Sequence, residues 1–452
     1  MERALRYVEE KREECLNELI RLLSIPSISA KGIGVNECAE LVYSMLEKVG
    51  FKVDLYPFKD GYPVVYGELM VGAEKTIIFY NHYDIQPVDP LEEWETDPFK
   101  PIIKDGKIIA RGVADNKGNI VSRLKAVESY LKAYGNLPVN IKWVIEGEEE
   151  IGSIHLLEFI KKYKDKLVGE GIIWESGGRD SKGYPHLSFG CKGLIYLEII
   201  SKKGERDLHS AFASIVENPV WYLISALNTL KDAKNDKILI PGFYDDILEP
   251  SSEEIELLEK YPIEEEELKK ELGIDNFICG LTGIELYKKL LYSPTCNICG
   301  IYAGYTGEGS KTVLPYFAKT KLDFRLVPNQ RAKELFEKIK SYLEEKGFKD
   351  LEIIPYGLED PAQTPVNTPL KEVIEKSAEK ILGVKPKLTP RMYGTGPMAL
   401  FYNELKLPIV EGVGCGYLGS RVHAPNENCF VEDYFRTIKW IIGIIDEYRE
   451  EG

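Results

Sequence analysis

Three short segments of this chain bring together one histidine and several carboxylates, the donor types that hold divalent metal ions. They are Phe79-Tyr-Asn-His82-Tyr-Asp84, Asp115-Asn-Lys-Gly118 and Glu148-Glu149-Glu150-Ile-Gly-Ser153, each beyond an apolar or extended run. Imidazole with carboxylate suits zinc, and further oxygen donors admit manganese or cobalt. Two cations held this way would support hydrolysis. One carboxylate would act as ligand while a neighbour moves the proton of the attacking water.

Residues 76–80 form a short apolar run of the kind that makes a buried parallel strand, and ligands of open α/β sheets gather beyond the carboxyl ends of such strands. His82 and Asp84 stand there two residues apart, on one side of an extended backbone, so Asp84 can orient the His82 ring through its second nitrogen. Asp115 falls where an extended stretch turns into the helical pattern of residues 119–134. A carboxylate is favoured near a helix N-terminus, and Gly118 allows close backbone approach. A bridging metal ligand fits that corner, as does an ordinary cap residue. The three glutamates follow a second buried-strand pattern at 139–145; alone they would read as a solvated acidic turn. His423, in Gly419-Ser-Arg-Val-His423-Ala-Pro-Asn-Glu427, again lies in a loop beyond an apolar run, at 407–410, although a single late histidine reads equally as structural or exposed.

The elements that must position these groups alternate between helical and apolar-strand patterns up to Trp174, which predicts an α/β layer with a mostly parallel sheet. After Cys191 the order becomes strand, helix, strand, strand, helix, strand, at 194–200, 220–230, 297–302, 320–324, 332–346 and 351–355, a smaller α+β domain of βαββαβ type. Residues 249–292, with the acidic run 264–267, read as a helical insertion with a solvated face. The α/β pattern returns from about residue 367. The expected organisation is therefore a metal-binding domain of residues 1–190 and 359–452 with residues 191–358 inserted into it.

The 452 residues, 44% hydrophobic, supply more than one core. A net charge of -15 and a pI near 5.1 leave no basic stripe for phosphates, so no nucleic-acid partner is expected. No stretch approaches the roughly 18 apolar residues of a membrane span, and the charged amphipathic start lacks a secretory core, which points to the cytoplasm. The eight cysteines are scattered, and the lone close pair Cys296 and Cys299 reads as ordinary reduced thiols. Glutamine occurs only at positions 86, 330 and 363 beside abundant lysine, glutamate and isoleucine, a bias shared with proteins from hot environments.

Taken together, these motifs resemble the dinuclear-zinc peptidases and deacylases that include carboxypeptidase G, carnosinase, aminoacylase and succinyl-diaminopimelate desuccinylase. The resemblance runs from Leu23-Ser-Ile-Pro-Ser-Ile28 to the final helix and is closest to the carnosinase and nonspecific dipeptidase branch. It implies two divalent ions per subunit, zinc before manganese or cobalt. His82 would bind one, Asp115 would bridge both, and Asp84 would support His82. The first glutamate of the Glu-Glu-x-Gly-Ser motif, Glu149, becomes the general base and Glu150 a ligand, leaving Glu148 surplus. Glu175 would complete the first site and His423 the second. His209, in Arg206-Asp-Leu-His209-Ser210, matches a histidine that polarises the scissile carbonyl, often from the partner subunit of a homodimer. Thr312, Arg325, Gly394 and Thr395 match positions that hold the substrate, with Arg325 suited to pair a terminal carboxylate. The inserted domain takes the role of lid or dimerisation domain.

Glu175 departs from the branch, which has aspartate there; carboxypeptidase and deacylase relatives have glutamate. Asn116 also replaces an aspartate common among relatives. The leading expectation is a metallopeptidase acting on dipeptides or short peptides with a free C-terminal carboxylate. An N-acyl amino acid deacylase is the enzymatic alternative, and a metal-free non-catalytic homologue is the third.

Overall fold

The computed structural model describes residues 1–450, and the chain divides into two compact units. The first comprises Met1–Gly190, Thr364–Pro390 and the chain from Leu400 onward. Its central sheet runs in the order Lys52–Tyr56, Val64–Leu69, Asn140–Glu146, Thr76–His82, Gly171–Ile173, Ile409–Val410. The last four strands are parallel, and the first two add an antiparallel edge, so the sheet is mixed.

The parallel strands are mostly apolar and buried on both faces. Asn140–Glu146 is buried at every residue, and Thr76–His82 at every residue but the first. Phe79 meets Trp143 edge-on, while Tyr80 stacks on Trp174 with ring centroids 4.1 Å apart. The helix Lys117–Tyr134 is buried along most of its length and packs between Glu2–Glu10 and the final helix Val431–Glu450. Gly135, at φ +78°, ends it in the left-handed conformation that only glycine adopts freely. Among the described residues no helix is long and apolar enough to cross a membrane.

The second unit comprises Cys191–Gln363 and Arg391–Ala399. Its antiparallel sheet is ordered Asn297–Ala303, Phe317–Leu326, Gly193–Lys202, Glu352–Glu359, with the helices Pro219–Leu230 and Ala332–Glu345 packed on it. Alternate residues Ile195, Leu197 and Ile199 join Leu322, Phe324, Leu223 and Phe336 in one core. The unit extends to Gln363 and takes in 391–399 because the Arg391 guanidinium binds Gln363, Glu254 and the Leu291 carbonyl. The 249–292 segment folds as helices Ser252–Lys260, Glu265–Leu272 and Gly283–Tyr292, the first closed by a Ser251–Glu254 capping box.

Candidate metal centre

Three parallel strands of the first unit end at one place and deliver the centre. His82 is the last residue of Thr76–His82, Glu149 and Glu150 lie in a short turn just past Asn140–Glu146, and Glu175 follows Gly171–Ile173. Asp115 precedes the helix Lys117–Tyr134, held close because a Cβ on Gly118 would stand only 2.1 Å from the Val113 carbonyl oxygen. His423 sits at φ +62° in the loop before Asn428–Phe430.

The side chains converge in two overlapping sets. His82 Nε2 lies 3.0 Å from Asp115 Oδ1 and 3.2 Å from Glu175 Oε2. His423 Nε2 lies 3.0 Å from Asp115 Oδ2 and 3.2 Å from Glu150 Oε2. Asp115 thus offers one oxygen to each set. Ligand atoms of Asp115, Glu150 and His423 fall within 4.8 Å of one another, as do those of His82, Glu149 and Glu150. The Glu149 carboxylate makes no hydrogen bond among the described residues, whereas Glu150 Oε2 accepts from Gln86 Nε2 at 2.8 Å.

Negative charge is in excess. Asp84, Asp115, Glu149, Glu150 and Glu175 gather around the imidazoles of His82 and His423, with the Arg123 guanidinium acting on Glu175 from behind. Burial, then repulsion from Glu175, holds Glu149 well above the usual carboxylate range. Burial pushes Glu175 up to about 8. Burial pulls on His423 in the other direction, but its bonds to Asp115 and Glu150 prevail and hold it at about 10. Glu175 Oε2 is buried without a hydrogen-bond partner. A buried orphan oxygen, a carboxylate shared between two sets and two imidazoles fit a pair of divalent cations.

Neighbouring groups fix the donors. His82 Nδ1 is 3.1 Å from the Asp84 carbonyl and 3.3 Å from its carboxylate. That carboxylate also accepts the backbone N–H of Glu149 and of Glu150, at 3.2 and 3.1 Å, and so ties the histidine strand to the glutamate turn. Three residues have supporting roles that the sequence reading did not assign. Glu427, fully buried, accepts from Arg111 and from the backbone N–H groups of Gly112, Ala114 and Asp115, fixing the Asp115 corner. Arg123, buried in the helix behind, donates to the carbonyls of Tyr80 and Trp174 and to Asn81, bracing the strand ends that carry His82 and Glu175. Asn116 donates to the Glu175 carbonyl at 3.0 Å. An arginine flanked by the apolar Ile120, Val121, Leu124 and Val127 was the available signal for Arg123; for Glu427 it was proximity to His423. Glu148, read from the sequence as surplus, is in fact buried and bonded.

The remaining candidates stand in the second unit. His209 is exposed, its Nδ1 accepts from Ala211 N–H, and its short strand pairs with Val313, next to Thr312. Arg325 Nη1 donates to Thr395 Oγ1 at 2.6 Å, and the Gly394 carbonyl accepts from Lys192 N–H. Two local pairs are therefore formed, His209 with the 312–313 strand and Arg325 with the 394–395 loop.

The chain is similar to an M20 family metallo-carboxypeptidase, Sso-CP2 from Sulfolobus solfataricus, at 44% identity and a TM-score of 0.92 over 96% of this chain and 99% of that one. It is similar to human carnosine dipeptidase 1 at 26% identity and a TM-score of 0.86, covering 99% and 98%. The Cys-Gly metallodipeptidase dug1 of Schizosaccharomyces pombe is 27% identical over 99% of this chain and 98% of its own length. With residues 78–447 matching the model of that family, the chain belongs to peptidase family M20/M25/M40.

Proposed function

We propose that the protein is a two-metal peptidase that cleaves dipeptides or short peptides carrying a free C-terminal carboxylate. The observation that carries this reading is Asp115 with one oxygen beside His82 and Glu175 and the other beside His423 and Glu150. These five residues would hold the ions, zinc first by donor chemistry and manganese or cobalt as alternatives. When bound, such a pair supplies Lewis acidity that lowers the pKa of water and polarises a carbonyl. Glu149, unengaged beside the ligands, takes the proton of the attacking water and later returns it to the leaving amine. Asp84 keeps His82 and the glutamate turn in place. Arg325, Thr312, Gly394 and Thr395 hold the substrate, with the guanidinium on its terminal carboxylate.

His209 donates to the scissile carbonyl oxygen, and we assign it to the partner subunit of a homodimer. The second unit supports self-association. Its edge strand Asn297–Ala303 exposes Ile298, Ile301 and Tyr302, and the helix Pro219–Leu230 exposes Trp221 (68%) and Ile224. Such an apolar surface is a liability for a lone subunit. The eight unpaired cysteines fit a cytoplasmic enzyme.

The relatives' own names include a carboxypeptidase and two dipeptidases. Glu175 favours the carboxypeptidase or, as a second reading, a deacylase. Hydrolysis of a matched panel by protein reloaded with zinc, manganese or cobalt decides among them. The panel holds free dipeptides, N-blocked dipeptides and N-acetyl or N-succinyl amino acids. Cleavage of free or N-blocked peptides is expected. Exclusive cleavage of acylated amino acids would make the protein a deacylase, and absence of both stoichiometric metal and turnover would leave only a non-catalytic homologue.

A further inference from the structure

Glu148 stands next to the proposed base, yet its side chain turns away from the metal cluster into a site of its own. Its carboxylate, 3% exposed, accepts from Tyr62 N–H at 3.0 Å, from His155 N–H at 3.0 Å and lies 2.9 Å from His155 Nδ1. Its carbonyl accepts from Ile151 and Ser153 N–H. The His155 ring stacks on Phe58, 4.8 Å between centroids at 20°. Tyr62 Oη reaches on to the Ser29 carbonyl at 3.1 Å. The fit is close, since a Cβ at Gly61 would lie 2.3 Å from His155 Nδ1 and 2.5 Å from Glu148 Oε1.

Glu148 therefore closes a loop on both sides of the Glu149–Ile151 turn. Asp84 holds the turn from within by the N–H groups of Glu149 and Glu150, and the Glu148–His155 pair fixes its two ends from outside. A turn this short leaves Glu149 few backbone conformations once both ends are fixed, and a base without hydrogen-bond partners has only its backbone to aim it. We infer that Glu148 and His155 are positioning residues that lock the turn carrying the general base, with His155 as the clasp. The inference rests on Glu149 as base and extends that reading to a pair that contacts neither substrate nor metal.

The experiment compares full-length wild type with His155→Ala and His155→Asn, zinc-loaded and zinc-free. Asparagine can place an amide N–H where the imidazole Nδ1 stood. Backbone hydrogen exchange over residues 148–155 is read beside kcat and KM. His155→Ala should speed exchange of the 149–153 amides in both forms and lower kcat about 10–100-fold with KM changed less than about twofold, and His155→Asn should restore both. Unchanged exchange in His155→Ala overturns the inference, and so does faster exchange with kcat untouched. Failure of His155→Asn to restore either readout also overturns the clasp. A Glu149→Gln control that retains turnover sinks the base assignment instead, while the exchange result still reports whether the turn is locked.

Discussion

The histidine–carboxylate cluster of the first unit and the proposed substrate-binding set of the second are built on opposite plans. In the cluster most donors have a second partner that fixes them: Asp84 behind His82, Glu427 behind Asp115, Asn116 behind the Glu175 backbone, Gln86 on Glu150. In the second unit His209 and Thr312 are exposed, and the Arg325 side chain is 36% exposed, its guanidinium donating to Thr395 with Asp323 3.7 Å away. Chemistry that must be aimed to a fraction of an ångström is placed on strand ends and braced. Under the proposed function, recognition falls to side chains whose final partner would be a substrate or another subunit.

The sharpest way to break the contrast is at Glu149, whose carboxylate makes no hydrogen bond among the described residues. Glu149→Gln should lower kcat by at least about 10²–10⁴-fold, with two metals retained by elemental analysis. Loss of metal along with activity would make Glu149 a ligand and remove the distinction between braced donors and a free base. On the recognition side, Arg325→Ala should raise KM about 10–100-fold, as expected for losing a charge-assisted bond, with kcat and metal content little changed. Peptides with an amidated C-terminus should lose nothing further in the variant. An equal loss on both substrate forms would deny Arg325 the terminal carboxylate.

The same contrast decided what could be read in the sequence. Strand-end residues His82, Glu149 and Glu150 were legible because a buried parallel strand shows as an apolar run with its functional groups just beyond. The βαββαβ order was legible from periodicity, with strand ends short by a few residues, as at Phe317–Leu326 against the expected 320–324. Glu427 and Arg123 were not, because each acts through backbone groups distant in sequence, and the Glu148–His155 pair, only seven positions apart, was not because Glu148 sits in a run of three glutamates. Arg123 serves the Tyr80 and Trp174 carbonyls, and Glu427 serves three N–H groups about 310 positions earlier. Acidic residues in a row carry no mark of which faces inward. Asn116 shows the same limit: the sequence marked it only as a departure from a common aspartate, while its amide spans Asn81 and the Glu175 carbonyl.

Glu427 tests whether bracing matters at the cluster as much as the ligands themselves. Glu427→Gln keeps the shape but has one acceptor oxygen where four donors converged, so apparent zinc affinity should fall about tenfold in chelator competition, the low end for a supporting residue. Unaltered affinity would mean that the Asp115 corner holds itself. Affinity should also rise with pH in the wild type, because a cation must displace the protons held on His423 and the raised carboxyls.

The second unit carries the contrast into stability. Lys192 is 3% exposed, its ammonium bonds only the Ser293 carbonyl among the described residues, and it faces no carboxylate. Burial, then repulsion from Arg391 and Arg325, pushes it down to about 7. In the unfolded chain a lysine titrates near 10.4, so between pH 7 and about 10 the unfolded state binds the extra proton. Stability attributable to this group must therefore rise with pH across that window, by at most about 1.4 kcal/mol per pH unit. Lys192→Met should remove that rise, leaving a variant more stable than wild type near pH 6.5 and losing the advantage by pH 9 in chemical denaturation. If the two proteins keep a constant difference from pH 6.5 to 9, Lys192 is solvated or paired in the folded state. The second unit would then brace its charges as fully as the first.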